Sequence, residues 1–464
     1  MNDWSATRLS QAYAAREVSP LEVARATLAH IERWEPTLHA MYAFDPEGAL
    51  AMAQASEQRW QRGEPLSPLD GVPATIKENI ATRGVPVPVG TAATVLVPAA
   101  DDAPPAARLR EAGCVLLGKT TMPDYGMLSS GLSSFHALAR NPWNTALNPG
   151  GSSAGAGAAA AAGYGPLHVG TDIGGSIRLP AGWCGVFGLK PSLGRIPIKP
   201  PYAGRVAGPM TRTVDDSALM MTALSKPDWR DTMSLPPQDI AWTDLALDLR
   251  GRRIGLWLEP GWGLPLDPQI RACIDDAARR FEAAGAIVEP VPTFMTREAI
   301  DGMDRFWRVR SWLDIRALPP ERRERVLPYI RAWAEGGAGI STEQLFHGYS
   351  QMGAMREAAV AACHPFDAVI SPVSPVSTYP AEWAGPTNDP AAPLEHIAYT
   401  LPFNMSEQPA ASVPAGFDDQ GRPIGLQIIG HRHDDLGVLR WSRAWEQIRG
   451  PLRPWPCGGV PAPA

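Results

Sequence analysis

The sixteen residues NPGGSSAGAGAAAAAG at 148–163 leave the chain few options. Gly150 and Gly151 permit a backbone course closed to other residues. Ser152 and Ser153 then stand where a cap would, ahead of an alanine-rich helix with free N–H groups at its start. Capping explains one serine. It does not explain why so permissive a backbone surrounds both. The run is too short and too weakly apolar to span a membrane, and no stretch of eighteen apolar residues occurs elsewhere.

The neighbouring elements set the fold class. PLEVARATLAHIERWE at 20–35 reads as an amphipathic helix, with Ser19 as cap and Pro20 in its first turn. GALAMAQASEQRWQRG is a second helix ending at Gly63. A turn and a short apolar strand follow in PLDGVPATIKENI. PPAARLREAG and CVLLG repeat the pattern of helix, then strand. This alternation predicts an α/β architecture. Helices and strands flank the glycine-serine centre on both sides, so one continuous domain over 1–464 is expected. It has a helical segment at about 1–65, a variable region at about 225–350 and a loose tail at 451–464. Apolar residues make up 45% of the 464, which allows a large core.

Bulk charge and cysteine usage exclude several classes. A net charge of −6 gives no support for nucleic-acid binding. No basic region followed by an apolar run opens the chain, so a cytoplasmic location is expected. Cys114, Cys184, Cys273, Cys363 and Cys457 form no CxxC pair, which predicts reduced thiols and no zinc site.

GCVLLGKT at 113–120 matches the phosphate-loop pattern letter for letter. Its context is wrong. A helix precedes it, and Cys114, Val115, Leu116 and Leu117 are strand residues that cannot wrap N–H groups around a phosphate. The reading is a buried strand with Lys119 at its exit.

Two other segments carry chemistry. In TIKENI at 75–80, Lys77 follows an apolar strand, where a lysine is costly unless paired or deprotonated. In GTDIGGSIRLPAG at 170–182, Gly174 and Gly175 precede Ser176. Successive N–H groups at such a turn can converge on a developing oxyanion. A serine nucleophile needs a base. His168 lies eight residues earlier and no G-x-S-x-G elbow is present, whereas Lys77, neutral and acting through a second serine, is the other known type of partner. A glycine-rich structural crossing is the plain alternative.

At this point the sequence resembles the amidase signature family, hydrolases of carboxylic amides with a Ser–cis-Ser–Lys triad. NPGGSSAGAGAAAAAG and HVGTDIGGSIRLPAGWCGVFGLKPSLGRIP carry the resemblance, with KENI, GCVLLGKTTM, RNPWNTALNPGG, LPFNMSEQPAASVPAGF and RPIGLQIIGHR beside them. Similarity runs from roughly residue 15 to 450. The resemblance implies a large mixed central β-sheet covered by helices on both faces. It makes Ser176 the nucleophile, Ser152 the bridging serine after a cis peptide bond that Gly151 makes tolerable, and Lys77 the general base. It assigns the oxyanion hole to the N–H groups of Ile173, Gly174, Gly175 and Ser176. Asp172 and Thr171 hold that loop, and Arg178 lies close to the triad, in some relatives on acidic substrates and more often as a structural residue. Glu78 departs from the usual Asp. No cofactor or metal is implied. The partner is a small-molecule amide, with no nucleic acid and no membrane, and a homodimer is left open.

Substrate choice is expected in less regular parts. Tyr125, Met127, Phe306, Trp307 and Trp312, with the loop 374–390, are candidates for a pocket that prefers an apolar or aromatic amide. Three rivals stand beside this reading: the amidase subunit of a glutamyl-tRNA amidotransferase, a hydrolase of a urea-derived amide of allophanate or carboxybiuret type, and a non-catalytic scaffold. The aromatic segment at 300–335 and LPFNMSEQP read more like a stand-alone amidase. The intact Lys77, Ser152 and Ser176 argue against the scaffold.

Overall fold

Eleven strands form one sheet in the computed structural model, which describes residues 2–457. In chain order they are β1 (Met41–Tyr42), β2 (Pro73–Lys77), β3 (Val115–Thr120), β4 (Leu167–Asp172), β5 (Phe187–Lys190) and β6 (Val206–Thr211). Then come β7 (Arg253–Leu256), β8 (Ile287–Pro290), β9 (Ala368–Pro372), β10 (Ala410–Phe417) and β11 (Pro423–Ile429). The order across the sheet is β1-β3-β2-β4-β6-β5-β10-β11-β9-β7-β8. β2 runs parallel to β3 and β4, and β7 runs parallel to β8 and β9, while the centre from β4 to β9 is antiparallel. The sheet is large and mixed, and among the described residues fourteen α-helices accompany it. No helix there is long and apolar enough to cross a membrane.

Local sequence accounts for the elements that frame the centre. Every residue of β2 and β4 is buried, as expected of strands covered on both faces. Ser19 and Glu22 close a reciprocal cap on helix Pro20–Leu38, with Pro20 in its first turn. Helix Pro46–Arg62 stops at Gly63, which takes a left-handed conformation. GCVLLGKT is strand over Val115–Thr120, and Lys119 Nζ donates to the Ile80 carbonyl at 2.8 Å. Helix Ala154–Ala162 is buried along its whole length, because no side chain on it exceeds a methyl group.

Two expectations change here. Ser153 is the N-cap of that helix, yet its side chain makes no cap hydrogen bond and turns elsewhere. The tail is seated over its described part: Cys457 is buried, and Arg212 lies over the Trp455 ring at 4.5 Å from its centroid. The rest of the expected loose tail, 458–464, lies outside the described residues. All five cysteines are free.

Candidate active site

β2 and β4 are parallel neighbours in register, with Thr75 beside His168 and Ile76 beside Val169. Their C-terminal ends therefore emerge side by side, Lys77 from one and Thr171 and Asp172 from the other. Helix Ala154–Ala162 starts at the same place. Sheet register thus assembles three segments that are far apart in sequence, at the strand ends where ligands bind in α/β proteins.

Lys77 is fully buried, and Nζ lies 2.8 Å from Ser152 Oγ, 3.0 Å from Ser153 Oγ and 3.5 Å from the Thr171 carbonyl. Burial lowers its pKa well below the ordinary lysine value. The Arg205 charge lowers it further, against the opposing pull of Asp172 and Glu78. A neutral amine has two N–H donors and one lone pair. Ser153 donates its hydroxyl to the Thr171 carbonyl at 3.1 Å, so towards Lys77 it can only accept. In the neutral form the two N–H groups would go to Ser153 and Thr171, leaving the lone pair for the Ser152 hydroxyl, whereas the ammonium form would donate to all three. Hydroxyl valence therefore gives two adjacent serines different capacities. Ser152 can pass a proton to Lys77, and Ser153 holds the amine in place.

The Gly151–Ser152 peptide bond is cis. Gly151 is required by close approach: a Cβ there would sit 2.5 Å from the Ser130 backbone nitrogen. His168, the nearest histidine to Ser176, is no rival base. It is buried between Thr75 Oγ1 and the Gly165 carbonyl, and burial brings its pKa down to about 3.

Ser176 lies half-buried at the end of the turn, and its Oγ has no hydrogen-bond partner among the described residues. Ser152 and Ser176 line one cleft without a direct hydrogen bond between them. Their segments are tied by the Ser153 N–H, which donates to the Ser176 carbonyl at 3.1 Å. The turn itself is held by Asp172, whose carboxylate accepts from Gly175 N at 2.8 Å and Ile177 N at 3.0 Å. Gly175 is thereby removed from the four expected oxyanion donors. The N–H groups of Ile173, Gly174 and Ser176 have no acceptor among the described residues and remain available. Gly175 has φ +130°, a conformation that L side chains rarely adopt. Thr171 does not hold the turn. Its hydroxyl accepts from Asn79 Nδ2 at 3.1 Å, which ties β4 to the segment after Lys77.

Arg178 is fully buried and is satisfied by protein partners alone. It donates to Asp172, the Thr400 carbonyl, Gln427 Oε1 and Asn404 Oδ1. Burial opposes the Asp172 charge, but Arg178 and further donors overcome it and hold the carboxyl well below the usual range. Arg178→Met would strand that carboxylate. The expected cost is about 3–5 kcal/mol, seen as a lower urea midpoint. A midpoint unchanged from wild type would show that Asp172 does not depend on this partner.

Glu78 serves as a clamp. Its buried carboxylate accepts from Val89 N at 2.6 Å and Gly90 N at 2.7 Å, and lies 2.9 Å from His136 Nε2. It fixes the loop at the cleft wall.

Two cavities meet at Ser176. The first is apolar, lined by Met127, Leu128, Trp307, Leu394 and Ile397 with Gly174 at its floor. The second is a polar cleft of about 510 Å³ lined by Ser152, Asn79, Tyr125, Tyr202, Arg205 and Arg310, the last of which also lines the first cavity. Of the expected pocket residues, Tyr125, Met127 and Trp307 are in place. Phe306 and Trp312 are not: neither lines either cavity, and Phe306 packs on Tyr349 with ring centroids 5.7 Å apart. Helix Arg297–Arg316 explains this. Trp307 and Arg310, three apart, share a face, while positions one before and five after Trp307 point elsewhere. From the loop 374–390, Ala384 lines the apolar cavity. Sequence reasoning missed Ser153, Arg205 and Arg310. The doubled serine was the available signal for the first, and helical spacing from Trp307 for the last.

The chain is similar to known proteins over nearly its whole length. The chain is 34% identical over 480 residues to a glutamyl-tRNA(Gln) amidotransferase subunit of Myxococcus xanthus, covering 96% of this chain and 97% of the relative. It is 33% identical to an acylamidase of Rhodococcus erythropolis, covering 97% and 96%. The solved structure of a bacterial aryl acylamidase of the amidase signature family superimposes with a TM-score of 0.89 at 32% identity, covering 98% of this chain and 99% of that one. With the family model described as Amidase matching residues 22–439, the chain belongs to the amidase family.

Proposed function

We propose that this protein hydrolyses a carboxylic amide through an acyl-enzyme on Ser176. The observation that carries the reading is a fully buried lysine, shifted towards its neutral form, at 2.8 Å from Ser152 Oγ. Lys77 takes the Ser152 proton while Ser152 takes that of Ser176. Ser176 Oγ attacks the amide carbon, and the oxyanion is met by the N–H groups of Ile173, Gly174 and Ser176. The lysinium returns its proton through Ser152 to the leaving nitrogen, and the C–N bond breaks. Water, activated by the same pair, releases the acid. A fluorophosphonate probe that labels Ser176 in the intact protein, together with turnover of aryl or alkyl amides, supports this. An unlabelled Ser176 and an inert amide panel would overturn it.

Geometry also orients the substrate. The leaving nitrogen must face Ser152, and Ser152 lines the polar cleft but not the apolar cavity. The acyl group therefore enters the apolar cavity, against Trp307 and Met127. A Cβ on Gly174 would stand 3.4 Å from the Trp307 ring, so that ring limits acyl length. Trp307→Ala should raise the kcat/KM ratio of long over short acyl amides by about tenfold or more. An unchanged ratio would remove Trp307 from acyl selection.

The similarity to an amidotransferase component supports a second reading, in which the amide is glutamine and partner proteins use the ammonia. The apolar lining beside Ser176 suits a hydrocarbon acyl group better than a charged amino-acid one. Glutamine-dependent transfer in the presence of co-purifying partner chains would reverse the choice. A cytoplasmic setting is consistent with the five free thiols.

A further inference from the structure

The polar cleft carries more cationic charge than the proposed chemistry uses. Arg205, Arg310 and Lys199 all line it. Arg205 Nη1 donates to the Pro200 carbonyl at 3.3 Å and makes no ion pair among the described residues. The Arg310 guanidinium lies over the Tyr202 ring, 4.4 Å from its centroid, and has no carboxylate partner among them either. Lys199 is exposed at the rim. Elsewhere the buried arginines are matched, Arg178 by Asp172 and Arg195 by Asp435. The carboxylate that lines this cleft, Asp172, is already engaged by Arg178, Asn404 and the turn amides.

Two half-buried guanidinium groups that line one cleft, with its Asp172 carboxylate already engaged elsewhere, repel one another at a cost. Burial and the Arg310 charge both disfavour the charged form of Arg205. Arginine's planar fork fits a carboxylate through two parallel hydrogen bonds. Position fixes which half of the substrate carries it. Arg205 and Lys199 line only the cleft that contains Ser152, and Arg310 lies where that cleft meets the acyl cavity.

Resting on the amidase reading above, we propose that the substrate is an N-acylated amino carboxylate. Its leaving amine bears a carboxylate held by Arg205 and Arg310, with Lys199 drawing it in at the rim. The acid released is apolar, and the amine released is an amino acid or aminobenzoate.

The test uses the full chain and matched substrates with one acyl group: N-acyl 3- and 4-aminobenzoates against the corresponding aminobenzamides. The carboxylates should exceed the carboxamides in kcat/KM by about tenfold or more, the worth of a charge-assisted hydrogen bond, mainly through KM. The ratio should fall as salt is raised. In Arg205→Gln/Arg310→Gln the ratio should approach one. Independently of that variant's folding, free aminobenzoate should inhibit the wild-type enzyme competitively, at concentrations about tenfold or more below those needed for aminobenzamide. Equal kcat/KM for both substrates, with Ser176 still labelled by a fluorophosphonate, would overturn this inference and leave the amidase reading intact. No turnover of either and no labelling would overturn the amidase reading itself.

Discussion

Ser176→Ala is expected to lower kcat/KM on any cleaved amide by about 10⁴-fold or more and to abolish fluorophosphonate labelling. Loss of a serine nucleophile removes the covalent route and leaves only binding and oxyanion stabilisation. The same change should leave the melting temperature within about 1 °C of wild type, since surface-like substitutions that break no contact fall within ±0.5 kcal/mol. The reason is local: Ser176 Oγ has no hydrogen-bond partner among the described residues, and Asp172 holds the turn through backbone N–H groups instead. Full turnover in Ser176→Ala would end the acyl-enzyme scheme. A large fall in melting temperature would show that the hydroxyl has a structural task.

Lys77→Met is the second large effect, and its two consequences have opposite signs. Turnover should fall by about 10³-fold or more, because a serine relay without a base has no sink for the proton. Stability should rise at neutral pH. In the unfolded chain this lysine titrates near its ordinary value of about 10.4, while in the fold burial depresses it far below. Between those two values the unfolded state binds one more proton than the native state. The lysine is therefore a liability that is fully present below its folded pKa and fades as pH rises towards 10.4. Methionine removes it, so the gain in melting temperature should be clear at pH 7 and shrink towards pH 10. Wild-type kcat/KM should decline as pH falls through the depressed Lys77 value and the amine takes up a proton. A melting temperature at pH 7 below wild type would refute the neutral, desolvated lysine. A pH-independent acid limb would remove Lys77 as the base.

The alternation of elements was legible because each carries its own local signals. Ser19 with Glu22, and Gly63 after Arg62, mark helix ends by hydrogen-bond chemistry that needs no tertiary contact. The candidate site was legible only in part. Lys77, Lys119 and Lys190 are all buried on strands, and in sequence Lys77 stands apart through the KENI segment that carries the family resemblance, not through its burial. Register distinguishes them in space: Lys119 and Lys190 donate to backbone carbonyls, while Lys77 meets two hydroxyls. The resemblance singles out Ser152, and the Thr171 carbonyl that accepts from Ser153 gives the physical difference between the two serines. Phe306 and Trp312 were drawn into the pocket by their chemistry, and helix phase turned them out. Arg205 and Arg310 come from a strand-leading loop and a distant helix, and only their joint position on one cleft shows that neither has an acid.

The turn that carries Ser176 is also fastened from far down the chain. Thr400 Oγ1 donates to the Gly174 carbonyl across 226 positions, and Arg178 reaches Gln427 across 249. A ribosome takes roughly ten to forty-five seconds to cover the first of those spans. Through that interval the nucleophile, both serines and the lysine already exist as polymer, without the fastenings that aim them. The turn that carries the nucleophile is therefore complete in its hydrogen bonds only after residues 400–427 have been made and have packed against it.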